Sequence, residues 1–106
     1  MKRYKTKFIE VDISKKFTPE ELQAIKIAFM QVANELDTID FDDMMPGDVA
    51  EIVWDNIESY YKTPGMRLGK QRVGRQFDKE LNDKLSKILS TRDLIKFGVM
   101  IWTGKI

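Results

Sequence analysis

The sequence predicts a small α+β domain in which a strand at each end of the chain encloses three helices. Residues 2–13 and 94–103 are rich in β-branched and aromatic side chains, a composition typical of strands. Between them, three stretches carry apolar residues every three or four positions, which is the spacing of an amphipathic helix. Because the chain has 106 residues, we expect residues 1–106 to form a single α+β domain.

The first strand and the first helix are predicted from the residues up to Leu36. Lysines along one side of residues 2–13 are typical of a sheet edge. Thr18-Pro19-Glu20-Glu21 then predicts a helix start, with a capping threonine, a proline at the first position and an acid that completes a capping box. The helix is expected to reach about Leu36 with one apolar stripe, formed by Leu22, Ile25, Phe29, Val32 and Leu36.

A second helix is expected over roughly 48–62, after the turn marked by Pro46-Gly47. Asp48 follows that turn and is expected to cap the helix. Trp54 and the pair Tyr60-Tyr61 lie within it at helical spacing. Aromatic residues so placed predict core positions, and stacking on nucleic-acid bases is the alternative.

A third helix is expected to begin near Gly69 or Lys70 and to end near Leu89, because its apolar residues fall on one narrow arc. That arc comprises Val73, Phe77, Leu81, Leu85 and Ile88. The final strand, over residues 94–103, is expected to have a bulge at Gly98. The two terminal strands then pair with each other or across a homodimer.

Charge is strongly segregated along the chain, although the formal net charge is only +1. Residues 1–26 sum to +3, residues 27–61 sum to −9 without a single base, and residues 62–106 sum to +7. Such a molecule can present its positive part to a polyanion while its acidic part faces away. The alternative is that the acidic and basic segments neutralise each other within the fold or across a dimer.

The basic stretch 62–79 predicts a nucleic-acid-binding site. It has one acid, Asp78, and bases in the first turns of a helix oppose the helix dipole unless an anion is bound. Arginine and glutamine suit the edges of bases, and cations in a loop suit phosphates. A solvated surface is the alternative interpretation. The expected nucleic-acid-binding residues are Arg67, Lys70, Arg72, Arg75, Gln76 and Lys79.

The acidic run between the first two helices predicts a protein-binding surface, as an alternative site. Its spacing does not match that of a calcium-binding loop, and no motif in the chain fixes a metal site. A solubilising loop is the simpler interpretation of the same residues. The expected partner-binding residues are Asp37, Asp40, Asp42, Asp43 and Asp48.

Residue types that commonly carry catalysis are missing, since the chain contains neither histidine nor cysteine. Gly65 and Gly69-Lys70 are one residue too close for a phosphate-binding P-loop, which also requires a serine or threonine. We therefore expect a protein that is not an enzyme and binds no cofactor and no metal. The lack of cysteine predicts a cytoplasmic protein, and no apolar run approaches the ~20 residues of a membrane helix.

Part of the chain resembles a family of small bacterial domains of unknown function. The resemblance covers residues 54–77 and rests on Trp54, Pro64-Gly65, Arg67-x-Gly69-Lys70 and Gly74-Arg75-x-Phe77. In that family an acidic, aromatic stretch precedes a short turn and a helix, whereas here four residues, 71–74, separate elements that usually lie closer together. The resemblance implies a shared structural feature and no activity.

Two functions follow from these patterns. The first is a non-enzymatic nucleic-acid-binding domain, a small regulator that places its third helix in a groove. The alternative is a protein-interaction or inhibitor domain, of the kind that mobile elements encode, acting through the acidic residues 35–51. The expected partners are therefore nucleic acid or protein, a second copy of this chain included, and no membrane.

Overall fold

The computed structural model describes residues 15–62 and 77–105, and it is all-helical over these residues. Helix α1 spans Pro19–Glu35, α2 spans Pro46–Lys62, α3 spans Lys79–Ile88 and α4 spans Thr91–Trp102, with a short 3-10 helix at Phe41–Asp43. No strand occurs among the described residues. The predicted α+β fold with paired terminal strands is therefore wrong. The predicted first strand, residues 2–13, lies outside the described residues.

Helix α1 begins and ends where the sequence predicts. The Thr18 hydroxyl accepts a hydrogen bond from the Glu21 N–H at 3.1 Å, and the Glu21 carboxylate accepts one from the Thr18 N–H at 2.9 Å. This reciprocal pair is the predicted capping box, and it supplies partners for two N–H groups at the helix start. The predicted stripe faces the core, with Ile25, Phe29 and Val32 buried and Leu22 and Leu36 half-buried.

Helix α2 begins two residues earlier than predicted, at Pro46. The Met45 carbonyl accepts hydrogen bonds from the N–H groups of Asp48 and Val49 at 3.0 and 3.1 Å, so Met45 precedes the first turn. The prediction that Asp48 caps this helix is therefore wrong. Its carboxylate lies in the first turn instead, where the helix dipole favours negative charge.

Helix α3 begins at Lys79, later than the predicted start near Gly69 or Lys70. Asp78 is its N-cap, with extended backbone and a carboxylate that accepts from the Leu81 N–H at 2.9 Å. Because Phe77 and Asp78 are not helical, no continuous helix runs from the basic stretch into α3. The predicted arc is correct from Leu81 onwards, where Leu81 and Leu85 are buried and Ile88 is half-buried.

Helix α4 occupies the place of the predicted final strand. The Ser90 hydroxyl caps it by accepting from the Asp93 N–H at 3.2 Å. A short apolar run is compatible with a strand or a buried helix, and here packing decides for the helix. Phe97 and Ile101 are buried. Gly98, which lies between them, faces α2 and is not a strand bulge.

The hydrophobic core is contributed by all four helices, and α2 and α4 cross closely within it. The Trp54 indole N–H donates to the Leu94 carbonyl at 2.8 Å, while Ala50 lies opposite Gly98, so the two helices run antiparallel. The Trp54 ring also contacts Phe29 edge-on, at 5.0 Å between centroids. Trp54 is 6% exposed, which confirms its predicted core position and leaves no face for stacking on a base.

Candidate functional site

A surface of exposed carboxylates extends from the end of α1 into α2. All five acidic residues that the sequence predicts for partner binding are exposed. Two further exposed acids continue the surface along α2. We call this set the acidic surface; it comprises Asp37, Asp40, Asp42, Asp43, Asp48, Glu51 and Asp55.

The 3-10 helix holds the first part of the acidic surface in a defined position. The Phe41 ring contacts Trp102 at the end of α4 edge-on, at 5.5 Å between centroids. The Asp40 carboxylate caps the turn by accepting from the Asp42 N–H at 3.1 Å. Asp42 and Asp43 are exposed on this turn while Phe41 packs on the core. The contact between these half-buried rings attaches the turn to α4, and the Asp40 cap stabilises the turn itself.

The second part of the acidic surface lies along the outer side of α2. Asp48, Glu51 and Asp55 are three and seven positions apart, which places them on one face of a helix. The opposite face carries Val49 and Val53, both fully buried. Glu51 falls within the predicted acidic residues 35–51, although it was not among the five named partner-binding residues. Asp55 lies beyond that range, and its helical spacing from Asp48 and Glu51 was a sufficient signal for it.

An exposed methionine lies between the two parts of the acidic surface. Met45 is 71% exposed, and the other large apolar residue described as exposed, Ile27 on α1, is 42% exposed. The backbone of Met45 is fixed by its two hydrogen bonds to the first turn of α2. In the sequence, Asp43 precedes Met45 by two positions and Asp48 follows it by three. The sequence analysis did not identify Met45, and only its position beside a Pro-Gly turn could have indicated exposure.

Most of the predicted nucleic-acid-binding residues cannot be placed by the structure. Arg67, Lys70, Arg72, Arg75 and Gln76 lie outside the described residues. Lys79 is exposed and is the first residue of α3.

The helix-dipole argument for an anionic ligand is wrong for α3. Its N-cap is Asp78, and Glu80 lies in its first turn, so the start of the helix already carries negative charge. Lys87 lies in the last turn, where positive charge is favoured. Apart from Lys79, the charges of this helix follow the dipole and require no bound anion.

The two ends of the basic segment 62–76 are held together by Tyr61 and Phe77. The Tyr61 hydroxyl donates to the Phe77 carbonyl at 2.8 Å, and the two rings lie 5.9 Å apart between centroids. The segment between them contains five bases and no acid. The contact therefore brings together the two ends of a segment whose sequence is strongly basic.

Burial of the Tyr61 side chain raises the pKa of its hydroxyl to about 12, and the neighbouring Tyr60 and Asp78 act in the same direction. The only other pKa shift among the described groups lowers that of Glu21. The hydrogen bond from the Thr18 backbone is its main cause, followed by the bond from Lys84. Both shifts arise from structural hydrogen bonds and packing, and neither residue belongs to the acidic surface.

Replacing Tyr61 by phenylalanine is expected to destabilise the fold and to change its response to alkali. The lost hydrogen bond to Phe77 costs about 0.5–1.5 kcal/mol at neutral pH. In the wild type, the folded protein holds the Tyr61 proton up to about pH 12 whereas the unfolded chain releases it near pH 10, so stability falls between these values. Urea unfolding at several pH values measures both effects. If Tyr61→Phe has the same loss of stability above pH 10 as the wild type, this account of Tyr61 is wrong.

Comparisons of this chain with protein families, curated proteins and solved structures find no match. The resemblance of residues 54–77 to a family of bacterial domains therefore stays a prediction. Within residues 15–62 and 77–105, no helix is long and apolar enough to cross a membrane. The same ranges contain no group of three or more side chains placed to hold a metal ion.

Proposed function

We propose that this protein is a non-enzymatic interaction domain that binds a basic protein surface through the acidic surface and Met45. The observation that carries the proposal is the 71% exposure of Met45 beside exposed carboxylates on a turn attached to the core. Protein interfaces commonly combine an apolar contact, in which methionine is enriched, with a charged rim. Methionine also adapts its shape to varied partners because its side chain is unbranched and polarizable.

The charge of this surface defines the chemistry of the partner. Residues 27–61 contain nine acids and no base, so no lysine or arginine from the same segment can neutralise the acidic surface. A basic partner would be attracted over several ångströms and would associate faster at low salt. Desolvation of Met45 on contact would then contribute affinity that depends little on salt. An inhibitor that covers a basic site on another protein fits this chemistry.

The experiment compares protein captured from cell extract by the wild type and by variants with matched controls. Asp42→Asn with Asp43→Asn removes two exposed charges without touching the Asp40 cap, and Met45→Ser removes the exposed apolar side chain. Glu20→Gln with Asp83→Asn removes two exposed charges elsewhere, and Ile27→Ser alters the other exposed apolar residue. A captured protein is then purified, and its direct binding is measured at two salt concentrations.

We expect the two variants of the acidic surface to weaken binding of the purified partner and the two controls to leave it unchanged. Binding should also weaken as salt is raised, since charge attraction contributes. Equal binding by the wild type and both acidic-surface variants would contradict the proposal. Chromatographic sizing of the protein alone shows whether a second copy of the chain is the partner.

Nucleic-acid binding through the basic segment remains a second proposal. The observation that favours it is the contact between Tyr61 and Phe77, which brings together the two ends of a segment with five bases and no acid. Lys79 follows directly and is exposed. In this proposal Arg67, Lys70 and Lys79 contact phosphates, while Arg72, Arg75 and Gln76 contact phosphates or base edges.

Titration of labelled duplex and single-stranded DNA and RNA at two salt concentrations tests this second proposal. Binding through several phosphates must weaken steeply as salt is raised. Arg72→Gln with Arg75→Gln should weaken it, whereas Arg92→Gln, at an exposed position on α4, should not. Absence of binding at low salt would eliminate nucleic acid as a ligand and leave the first proposal untouched.

A further inference from the structure

An open groove of about 700 Å³ lies between the start of α1 and α3. Leu81 and Ile88 of α3 give it an apolar floor. Four carboxylates line it, those of Glu21, Asp78, Glu80 and Asp83. The groove is separate from the acidic surface, whose residues do not line it.

The described residues that line the groove carry a net negative charge. Two lysines, Lys84 and Lys87, are among them. The Lys84 ammonium is already held by both oxygens of the Glu21 carboxylate, at 3.0 and 3.1 Å. With four acids against two bases, the described lining sums to −2. Glu80 and Asp83 are exposed and are the charges best placed to meet an approaching cation.

We infer that this groove binds residues 1–14 of the same chain. The chain leads into the described structure at Lys15, and two residues later Phe17 is buried beside the groove. The Lys84 ammonium lies 5.1 Å from the centre of the Phe17 ring. Residues 1–14 are therefore tethered directly beside the groove, and a short tether gives a high effective concentration.

The composition of residues 1–14 matches the groove. Bases at positions 2, 3, 5 and 7 and acids at positions 10 and 12 give a sum of +2, opposite to that of the lining. The same residues include Tyr4, Phe8 and Ile9, apolar side chains suited to a floor of Leu81 and Ile88. Charge attraction and apolar burial thus favour the same contact.

Two other surfaces could compete for these residues. A second groove, of about 430 Å³, runs along the outer side of α1 beside Ile27 and Met30. Its described lining residues include Lys26 and a single acid, Glu35. The acidic surface would also attract bases. It begins beyond the far end of α1, so the chain would have to close a longer loop to reach it.

Paramagnetic relaxation in the full chain tests the inference. Because the protein has no cysteine, Thr6→Cys provides a single site for a nitroxide label. We expect the label to broaden the amide signals of α3 and of Glu21 and to leave those of Asp48–Asp55 sharp. Broadening of the Ile27 face of α1 or of Asp48–Asp55, or uniform weak broadening, would overturn the inference.

Charge reversal shows whether the carboxylates of the groove are responsible. Glu80→Lys with Asp83→Lys should abolish the broadening of α3, whereas Glu51→Lys with Asp55→Lys, an equal change on α2, should preserve it. Unchanged broadening in the groove variant would contradict the role given to these charges. Residues 1–14 of the same chain and of a second copy are distinguished by a mixture of two samples. One is isotope-labelled and carries no nitroxide, and the other is unlabelled and carries the nitroxide. Broadening in that mixture means that residues 1–14 of a second copy occupy the groove, which would also overturn the inference.

Discussion

Substituting Gly98 by alanine is expected to lower the free energy of unfolding by about 2–4 kcal/mol, combining overpacking with a weakened hydrogen bond. A Cβ atom at this position would lie 2.5 Å from the Trp54 indole nitrogen, 2.7 Å from the Ala50 Cβ and 3.0 Å from the Phe29 ring. Two of these distances are far shorter than any real carbon contact. The helices α2 and α4 must therefore separate or Trp54 must rotate, and either change strains its bond to Leu94.

Gly47 provides the matched control for Gly98. It lies in the first turn of α2, and nothing is within 4 Å of a Cβ added there. Gly47→Ala is expected to stabilise the protein by up to about 1 kcal/mol, because alanine has the higher helix propensity and restricts the unfolded chain. Urea unfolding measures both variants. If Gly98→Ala lowers the free energy of unfolding no more than Gly47→Ala does, α2 and α4 do not cross as closely as described.

Helix α1 was predicted correctly from its capping residues, whereas α4 was predicted as a strand from its apolar run. Thr18 and Glu21 specify a helix start through hydrogen bonds that depend only on neighbouring residues, so the sequence is sufficient there. Ser90 caps α4 in a similar way, but the apolar run that follows also suits a strand. Gly98 was misread for the same reason. Its role is to let Trp54 approach, and that contact joins residues 44 positions apart in the chain.

The start of α3 was predicted about ten residues too early. In the sequence, Val73 and Phe77 precede Leu81 at the same spacing of four residues as the apolar positions of α3. The spacing of apolar residues alone does not show where a helix begins. Asp78 gave the competing signal, since aspartate is a preferred N-cap, and its carboxylate accepts from the Leu81 N–H. Once the helix starts at Lys79, the argument that arginines oppose its dipole no longer applies.

The acidic surface could be predicted in part because it depends on charge and local spacing. Four of its predicted aspartates lie in the connection between α1 and α2, and Asp48 lies in the first turn of α2. Acids in such positions are exposed in most proteins. The position of Phe41 against Trp102 could not be predicted. That contact requires residues 91–102 to form a helix whose last residue lies beside the 3-10 helix. The acids were therefore predictable, and the contact that attaches their turn to α4 was not.

Truncating Phe29 to alanine is expected to have the largest effect of any single core change, about 3–5 kcal/mol in the free energy of unfolding. Phe29 is fully buried, packs edge-on against Trp54 and lies against Gly98, so it touches both helices of the close crossing. Its removal leaves a cavity beside Trp54 and Gly98, at the crossing of α2 and α4.

Ile27→Ala is the control for Phe29, since Ile27 belongs to the same helix but is 42% exposed. It is expected to cost less than about 1 kcal/mol, because little buried apolar area is lost. Urea unfolding followed by tryptophan fluorescence and by circular dichroism measures both variants. Phe29→Leu keeps part of the volume and remains measurable if Phe29→Ala does not fold. Similar costs for Phe29→Ala and Ile27→Ala would mean that α1 does not pack on the crossing of α2 and α4 through Phe29.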